Sequence, residues 1–340
     1  MATTVNAFSP KEWRILIRPQ TEWGTTEAGT DMYQLDVDSI SMPSLNPNQS
    51  LDVRTSAGRT AITADVFTDR VLAVKEMTFS GNFHTDSGHK LLFHNISDQA
   101  TSNDEVNIAS GFNPSGLANG ASVSGGSMTS HSLFTVVVAR PASSVSSNLA
   151  KNMEFLDCVV TNFQISADVG TDGGRYKYSV TFATGSAYSD LDDATTVSPT
   201  AVYASSTNVT LGTLNSSTLK VFNINHALNS FSVNVDSPAV FVGAGSGGFE
   251  SLQRGQECSV TFDAQVKYDD TGDDHIQAYD TGAVHDNVGL YLQNTADFDI
   301  SINDYIITNA ALSEGDIMML DLSGKAVDDG TEALLTLDWR

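Results

Sequence analysis

Few residues of this chain have the types and spacing that catalysis or metal binding requires. His89 and His94 are five positions apart, whereas two ligands on one helical face need positions i and i+4. We therefore expect both histidines to be structural residues at the surface or at a helix end. The sequence also contains no Gly-x-Ser-x-Gly elbow and no cysteine–histidine context typical of nucleophilic enzymes.

Two loop segments could bind a small ligand. Gly243-Ala244-Gly245-Ser246-Gly247-Gly248 lacks the Gly-Lys-Ser/Thr and the following helix of a phosphate loop, so we expect a flexible hairpin tip. Asp269-Asp270-Thr271-Gly272-Asp273-Asp274 offers the hard oxygen ligands that Ca²⁺ prefers, but its spacing differs from that of an EF-hand loop. We predict a solvated acidic turn there, with an ordered cation as the alternative, and we predict no metal site and no cofactor.

Carboxylates are abundant enough to supply the acid pair of a glycosidase. Sugar clefts, however, usually contain clustered Trp and Tyr, and the chain has only 3 Trp, namely Trp13, Trp23 and Trp339. Trp13 and Trp23 precede the first strand pattern, and we predict that they anchor an extended N-terminal arm. These observations favour a protein that is not an enzyme.

The remaining sequence is typical of strands and turns, with frequent Gly, Ser and Thr. Residues 257–268 alternate strictly between apolar and polar side chains, and 75–83 and 175–182 repeat the pattern. A continuous apolar run at 133–139 predicts a strand buried on both faces. Further strands are predicted at 155–169, 231–235 and 298–308.

Helices are predicted in two places. Asp86 or Ser87 could cap a helix whose apolar side contains Leu91, Leu92 and Phe93. A second short helix is predicted at 143–151.

The two halves of the chain repeat one order of features. Val-Val-Thr-Asn-Phe at 159–163 and Ile-Ile-Thr-Asn-Ala at 306–310 each precede a turn and a further strand. Met77-Thr78-Phe79 and Val260-Thr261-Phe262 each begin a strand that runs into an Asp-x-Gly turn. This order indicates a duplicated fold. We predict an N-terminal arm at 1–30, a first β domain at 31–190, a linker at 191–215 and a second, acidic β domain at 216–340.

The chain is strongly acidic, with 17 basic and 41 acidic residues and a net charge of −24 at pH 7. Residues 1–190 contain 12 basic and 19 acidic residues, whereas 191–340 contain 5 and 22. Such a surface repels phosphate backbones and anionic membranes. We find no signal-peptide pattern and no apolar run of membrane length, so we expect synthesis in the cytoplasm. Cys158 and Cys258 are then expected as buried free thiols, with a disulfide as the alternative.

The order of elements resembles that of the two-domain tube proteins of long, non-contractile bacteriophage tails. In the first half, the resemblance rests on 75–83 running through Asp86-Ser87-Gly88 into the helix, and then on 133–139, 155–167 and 176–185. In the second half, it rests on the segments 231–236, Gln253-Arg254-Gly255, 259–268 and 298–302.

The resemblance implies a mainly β fold with tandem tail-tube-like β-sandwich or barrel domains and one flanking helix in the first. In such proteins, sheets join edge to edge around a ring of six domains, and rings stack into a tube through which DNA passes without tight binding. Three chains complete a ring if both halves have this fold, which we prefer, and six chains do so if only the first half has it. The other expected partners are tail proteins such as the tape measure and the terminators, and no membrane is expected. The protein would reside in the virion tail.

The resemblance also implies roles for individual residues. Acids would line the lumen, although a place on the outer surface is the alternative for each one. The segment 43–71 would make contacts between rings, and residues 1–29, with Trp13 and Trp23, would brace an adjacent subunit. The candidate lumen acids are Asp263, Asp269, Asp270, Asp297 and Asp299, and the candidate inter-ring residues are Arg54, Arg59 and Arg70.

Three other functions remain open from the sequence. The first is another virion β-protein, such as a decoration, head–tail completion or fibre protein. The second is a carbohydrate-binding or adhesin module, and the third is a hydrolase.

Overall fold

The computed structural model describes most of the chain. The described residues are 13–20, 23–26, 28, 32–43, 48–51, 66–69, 74–97, 99–100, 105–108, 123–124, 127–128, 133–139, 152–186, 189–191, 199–202, 208–225, 227–243, 249–254, 258–269, 276, 282–294, 298–313 and 317–339.

These residues form strands and one α-helix, which confirms the mainly β fold. In chain order the elements are β1 (Arg14–Pro19), β2 (Met32–Leu35), β3 (Ser39–Ser41), β4 (Asn48–Leu51), β5 (Val66–Asp69), β6 (Lys75–Asn82), α1 (Ser87–Ile96), β7 (Gln99–Ala100), β8 (Glu105–Ile108), β9 (Val123–Ser124), β10 (Ser127–Met128), β11 (Phe134–Ala139), β12 (Asn152–Asp168), β13 (Lys177–Thr184), β14 (Ser189–Leu191), β15 (Pro199–Val202), β16 (Lys220–Val221), β17 (Leu228–Asp236), β18 (Ala239–Val242), β19 (Ser251–Arg254), β20 (Ser259–Lys267), β21 (His285–Asn294), β22 (Phe298–Ser313), β23 (Met319–Ala326) and β24 (Leu335–Trp339).

Eight strands form one continuous antiparallel ladder, which we call the main sheet. Its order is β3-β6-β13-β12-β17-β20-β23-β22. Alternate side chains of these strands point into a common core, as the period-two pattern of 257–268 predicts. In β20, for example, Val260, Phe262, Ala264 and Val266 are buried.

The main sheet consists of two four-strand units with the same strand order. The first unit is β3-β6-β13-β12, and the second unit is β17-β20-β23-β22. In each unit the last two strands contain an irregularity at the Thr-Asn sequence. The β12–β13 register shifts between Val160 and Asn162, and the β22–β23 register shifts between Ile307 and Asn309. The repeated order that the sequence suggests is thus present in the strand pairing.

The two halves are nevertheless not separated at the predicted boundary. β12 of the first unit pairs with β17 of the second over seven residue pairs, from Asn162↔Asp236 to Asp168↔Ser230. Aromatic contacts also join the halves, with Phe83 and Phe298 ring centroids 4.9 Å apart. The described parts of the predicted linker are packed, because β15 pairs with β2 and Val209 is buried. One sheet and one hydrophobic core therefore include both predicted domains.

A second sheet covers the first unit. Its order is β14-β12-β11-β1-β2-β15, in which residues 152–158 of the long strand β12 take part before β12 continues into the main sheet. β1 is an interior strand, with Ile15, Leu16 and Ile17 buried. This part of the predicted N-terminal arm is thus a strand of its own chain's sheet and not a free arm, and the contact of residues 1–29 with a neighbour stays a prediction.

The helix α1 closes the core beside β12, and its prediction is confirmed. The Asp86 carboxylate caps it by accepting a hydrogen bond from the His89 backbone N–H at 2.9 Å. His89 and His94 lie in the first and last turns of this helix, which confirms the expected helix-end positions, and their side chains are buried, so they are not surface residues. The second predicted helix, at 143–151, lies outside the described residues.

Candidate functional site

The outer face of the main sheet is largely polar, except where the β18–β19 hairpin packs on Val159 and Ala183. The side chains that alternate with the core residues carry mostly hydroxyl and amide groups, and many of them bond across strands. Asn162 Nδ2 donates to Asn234 Oδ1 at 3.0 Å, across the joint between the two units, and the Thr78 and Thr181 hydroxyls lie 3.0 Å apart. On this surface, hydroxyl and amide groups therefore satisfy each other across neighbouring strands.

Charged side chains on this polar face are of both signs, with acids in excess. Asp263 is exposed and accepts a hydrogen bond from Ser232 Oγ at 3.1 Å. Lys177 is held by Asp172 at 2.8 Å and by Asp38 at 3.3 Å, and these two contacts raise its pKa although its partial burial opposes them. Such a face attracts a phosphate backbone only weakly. The charged members on the described strands are Glu76, Asp168, Asp236, Asp263, Asp321, Lys177, Lys267 and Lys325.

The five predicted lumen acids have different positions. Asp263 lies on the polar face, and Asp269 is exposed just after the end of β20. Asp299 is only 4% exposed and accepts a hydrogen bond from the Asn294 backbone N–H at 3.3 Å, so its assignment to a lumen surface is wrong. Asp270 and Asp297 lie outside the described residues.

One end of the main sheet is an open strand edge. Among the described residues, β22 from Ile306 to Ser313 pairs with β23 on one side and has no strand on the other. Leu312 on this edge is 45% exposed. Ile317 and Met318, at the adjoining hairpin, are 66% and 46% exposed. An unpaired edge of eight residues with apolar side chains is a template for pairing with another strand.

The opposite end of the main sheet is the short strand β3. Within the described part of the chain, β3 pairs only with β6, where Ile40 lies opposite Phe79. Ile40 is half-buried and packs on the core, whereas Ser39 and Ser41 are exposed. Both ends of the ladder therefore have backbone groups available for a further strand.

A hairpin follows the first strand of each unit. In the second unit, β18–β19 folds back over the first unit, where Phe241 and Leu252 pack on Val159 and Ala183. This matches the predicted hairpin around 243–248. In the first unit, β4–β5 occupies the same place in the chain order. Arg54, Arg59 and Arg70 in and around that hairpin lie outside the described residues.

Arg254, at the end of β19, fixes the joint between the units and was missed as a functional residue. Its guanidinium is buried and donates hydrogen bonds to the backbone oxygens of Asn95, Val160 and Ser237, the last at 2.9 Å. Asn95 lies in the last turn of the helix, Val160 precedes the bulge of β12 and Ser237 follows β17, so one side chain links three elements. Burial lowers the pKa of Arg254 to about 10. The sequence does not predict this role, because three of the acceptors are backbone oxygens, which every residue has.

The predicted arm anchors contact their own chain. Trp13 is half-buried against the main core, and Trp23 packs on the small cluster that contains Leu133, Val159 and Ala183. These contacts are within the chain, so they do not favour the predicted contact of Trp13 and Trp23 with an adjacent subunit.

The two cysteines are free, as expected. Cys158 is buried and Cys258 is half-buried. Burial, together with the charge of Asp157, raises the pKa of the Cys158 thiol well above its usual value, so it is poorly suited to act as a nucleophile.

Comparison with known proteins does not assign the chain to a family. No protein-family model matches the chain, and no curated protein sequence is significantly similar to it. Among the described residues, no helix combines the length and the apolar character of a membrane span.

Proposed function

We propose that this chain is a structural subunit that joins copies of itself edge to edge into a ring, and that stacked rings form a bacteriophage tail tube. The observation that carries the proposal is the internal joint. Strand β12, the last strand of the first unit, pairs with β17, the first strand of the second unit. The equivalent strands at the two ends, β22 and β3, are the open edges, so the same joint can form between successive chains.

The internal joint predicts the register of the joint between chains. Ile165 lies opposite Val233 within the chain. Leu312 holds the place of Ile165 when the bulges of β12 and β22 are superimposed. Ile40 is equivalent to Val233, because Ile40 lies opposite Phe79 of β6 and Val233 lies opposite Phe262 of β20. Leu312 of one chain would therefore lie opposite Ile40 of the next, which buries an apolar side chain that is now exposed.

Each chain contributes two units, so three chains would provide the six units of the ring. A ring of six chains, with the second unit outside the wall, is the alternative, but the continuous main sheet argues against it. Closed rotational symmetry ends growth around the ring, whereas stacking continues along the axis. The tail tube fold, the virion location and the contacts with tape measure and terminator proteins belong to the same proposal.

The polar face of the main sheet is the surface that we assign to the lumen. Its hydroxyl and amide groups bond to each other, and its excess of acids disfavours binding of DNA. DNA would thus pass along the wall without being held. The hairpin β4–β5 with its neighbouring arginines would contact the next subunit, and no catalytic step is required of any residue.

Cysteine cross-linking of purified protein tests the joint. Ala311 and Ser41 hold the places of Gln164 and Asn234, which lie opposite each other in the internal joint. In a Cys258→Ser background, Ala311→Cys with Ser41→Cys should give covalent oligomers under oxidation, and electron microscopy should show rings or tubes with a central hole. Ala311→Cys with Asp263→Cys is the matched control, because Asp263 is exposed but lies on an interior strand. Monomers at high concentration and equal cross-linking in both variants would refute the proposal.

A further inference from the structure

Two aspartates occupy equivalent positions in the two units but have different surroundings. Asp157 lies three residues before Val160, and Asp304 lies three residues before Ile307, at the same distance from the two bulges. Both have the left-handed backbone conformation, with φ of 53° and 46°. Both are buried, at 1% and 2% exposure. A comparison of their partners therefore isolates what differs between the units.

Hydrogen-bond donors surround the carboxylate of Asp157. Its oxygens accept hydrogen bonds from Gln20 Nε2 at 3.1 Å, from the Gly24 backbone N–H at 2.8 Å and from Ser186 Oγ at 2.5 Å. Its own backbone N–H donates to Gln20 Oε1 at 2.7 Å. Both oxygens of this buried carboxylate therefore have hydrogen-bond donors within their own chain.

Acids surround the carboxylate of Asp304 instead. One carboxylate oxygen from each of Asp286, Asp304 and Asp329 lies within 4.8 Å of the other two. Oδ1 of Asp304 is buried and accepts no hydrogen bond. Burial, followed by the charges of Asp329 and Asp286, a side-chain hydrogen bond with Asp286 and the charge of Glu332, raises the pKa of Asp304 to about 6. Three carboxyl groups this close cannot all be ionised unless a positive charge joins them.

The loop between β23 and β24 stabilises the ionised form of Asp329. Asp329 Oδ1 accepts hydrogen bonds from the Thr331 backbone N–H at 2.8 Å and from Thr331 Oγ1 at 2.7 Å. These bonds keep the pKa of Asp329 below its usual value. The backbone N–H of Val327 donates to the backbone oxygen of Asp304 at 2.8 Å, which ties the start of the loop to β22.

We propose that Asp286, Asp304 and Asp329 bind a divalent cation and that the ion is calcium. The unpartnered buried oxygen of Asp304 is the central ligand, and the two exposed acids complete the protein side of the site. Ca²⁺ binds oxygens at about 2.3–2.6 Å, so two ligands of one ion stand up to roughly 5 Å apart. Mg²⁺ binds at about 2.1 Å, which limits its ligands to roughly 4.2 Å. The three separations are all within 4.8 Å, so every one of them meets the calcium limit, and that is why we assign calcium.

The proposed ion would connect three segments of the second unit. Asp286 belongs to β21, Asp304 to β22 and Asp329 to the loop that leads from β23 to β24. β22 pairs with β24 before this point and with β23 after it. The ion would thus fix β22 where it leaves the body of the unit and becomes the open edge.

Calorimetric titration of chelator-treated full-length protein at pH 7.5 with CaCl₂ tests the site, with thermal unfolding in parallel. We expect one calcium ion per chain, and at 100 times the dissociation constant the ratio of folded to unfolded protein should rise roughly 100-fold. Asp304→Asn keeps the shape and tolerates the left-handed conformation. This variant should lose calcium binding and, without calcium, should unfold at a higher temperature than the wild type, because a buried charge is removed.

Two further variants keep the test decisive. The double change Asp286→Asn with Asp329→Asn alters only exposed side chains and should also abolish the calcium response, whereas Asp263→Asn should leave it intact. The assignment fails if the wild type does not bind calcium, or if Asp304→Asn and the double variant respond to calcium as the wild type does. An equal or tighter response of the wild type to MgCl₂ overturns calcium as the ion.

Discussion

Replacement of Arg254 by methionine should destabilise the folded chain by about 3 kcal/mol. The guanidinium makes four hydrogen bonds, to the backbone oxygens of Val160, Ser237 and Asn95 and to Asn95 Oδ1, the last at 2.9 Å. At the low end of about 1.5 kcal/mol for each charged hydrogen bond, their loss costs roughly 6 kcal/mol. The depression of the Arg254 pKa from 12.5 to about 10 corresponds to roughly 3 kcal/mol of unfavourable burial, which the substitution relieves.

Urea unfolding followed by tryptophan fluorescence, at a concentration where the protein is monomeric, measures this difference. Arg254→Lys should lose less, because an ammonium group keeps the charge but reaches fewer of the four acceptors. Lys267→Met removes an exposed cation from β20 of the main sheet, and its free energy of unfolding should stay within about 0.5 kcal/mol of the wild-type value. A change of that small size in Arg254→Met would show that the joint between the units does not depend on this side chain.

Two further predictions concern assembly and acid stability. Arg70 precedes β6 by five residues, as Arg254 precedes β20, so we expect it to have the corresponding role in the joint between chains. Arg70→Ala should therefore weaken ring formation, measured by sedimentation velocity, and leave the free energy of unfolding of the monomer unchanged. A destabilised monomer would contradict this prediction. Burial raises the pKa of Asp86, but its hydrogen bonds and ion pair with His89 outweigh burial and keep the pKa below its usual value. Because the folded-state pKa is depressed, this stability is present above about pH 4 and is lost as the pH falls through the folded-state pKa. In urea titrations from pH 6 to pH 2, Asp86→Asn should keep the cap but show a smaller loss of stability than the wild type, and identical pH profiles would refute the ion pair.

Local features of the fold could be predicted from the sequence. The alternation of 257–268 predicted β20, and the cap at Asp86 with its apolar run predicted α1. These features depend on neighbours within a few residues, so periodicity and capping chemistry are sufficient. The duplicated strand order was also visible, because the Thr-Asn bulge sequence recurs.

Features that depend on distant contacts could not be predicted. The pairing of β12 with β17 joins segments about 70 residues apart, and no local pattern specifies that partner. The burial of Asp299 was missed because Phe298 and Ile300 imply an outward position for the residue between them. β22 is covered on that side as well, since Asn294 folds back and donates to Asp299. For the same reason β1 was mistaken for an arm, because its partners β11 and β2 are not adjacent to it in a recognisable hairpin.

The covalent link across the β12–β17 joint has a kinetic consequence for a ring of this kind. Each newly folded chain would already contain one of the six joints of such a ring, so the three chains together would bring half of them. Closure would then require encounters among three molecules instead of six, and each avoided encounter saves the translational and rotational entropy of bringing two bodies together. Fusion also frees the two copies to diverge, since each always occupies its own alternate place around the axis. The acidic second half, with its own aspartate cluster, is the kind of specialisation that such a fixed alternation permits.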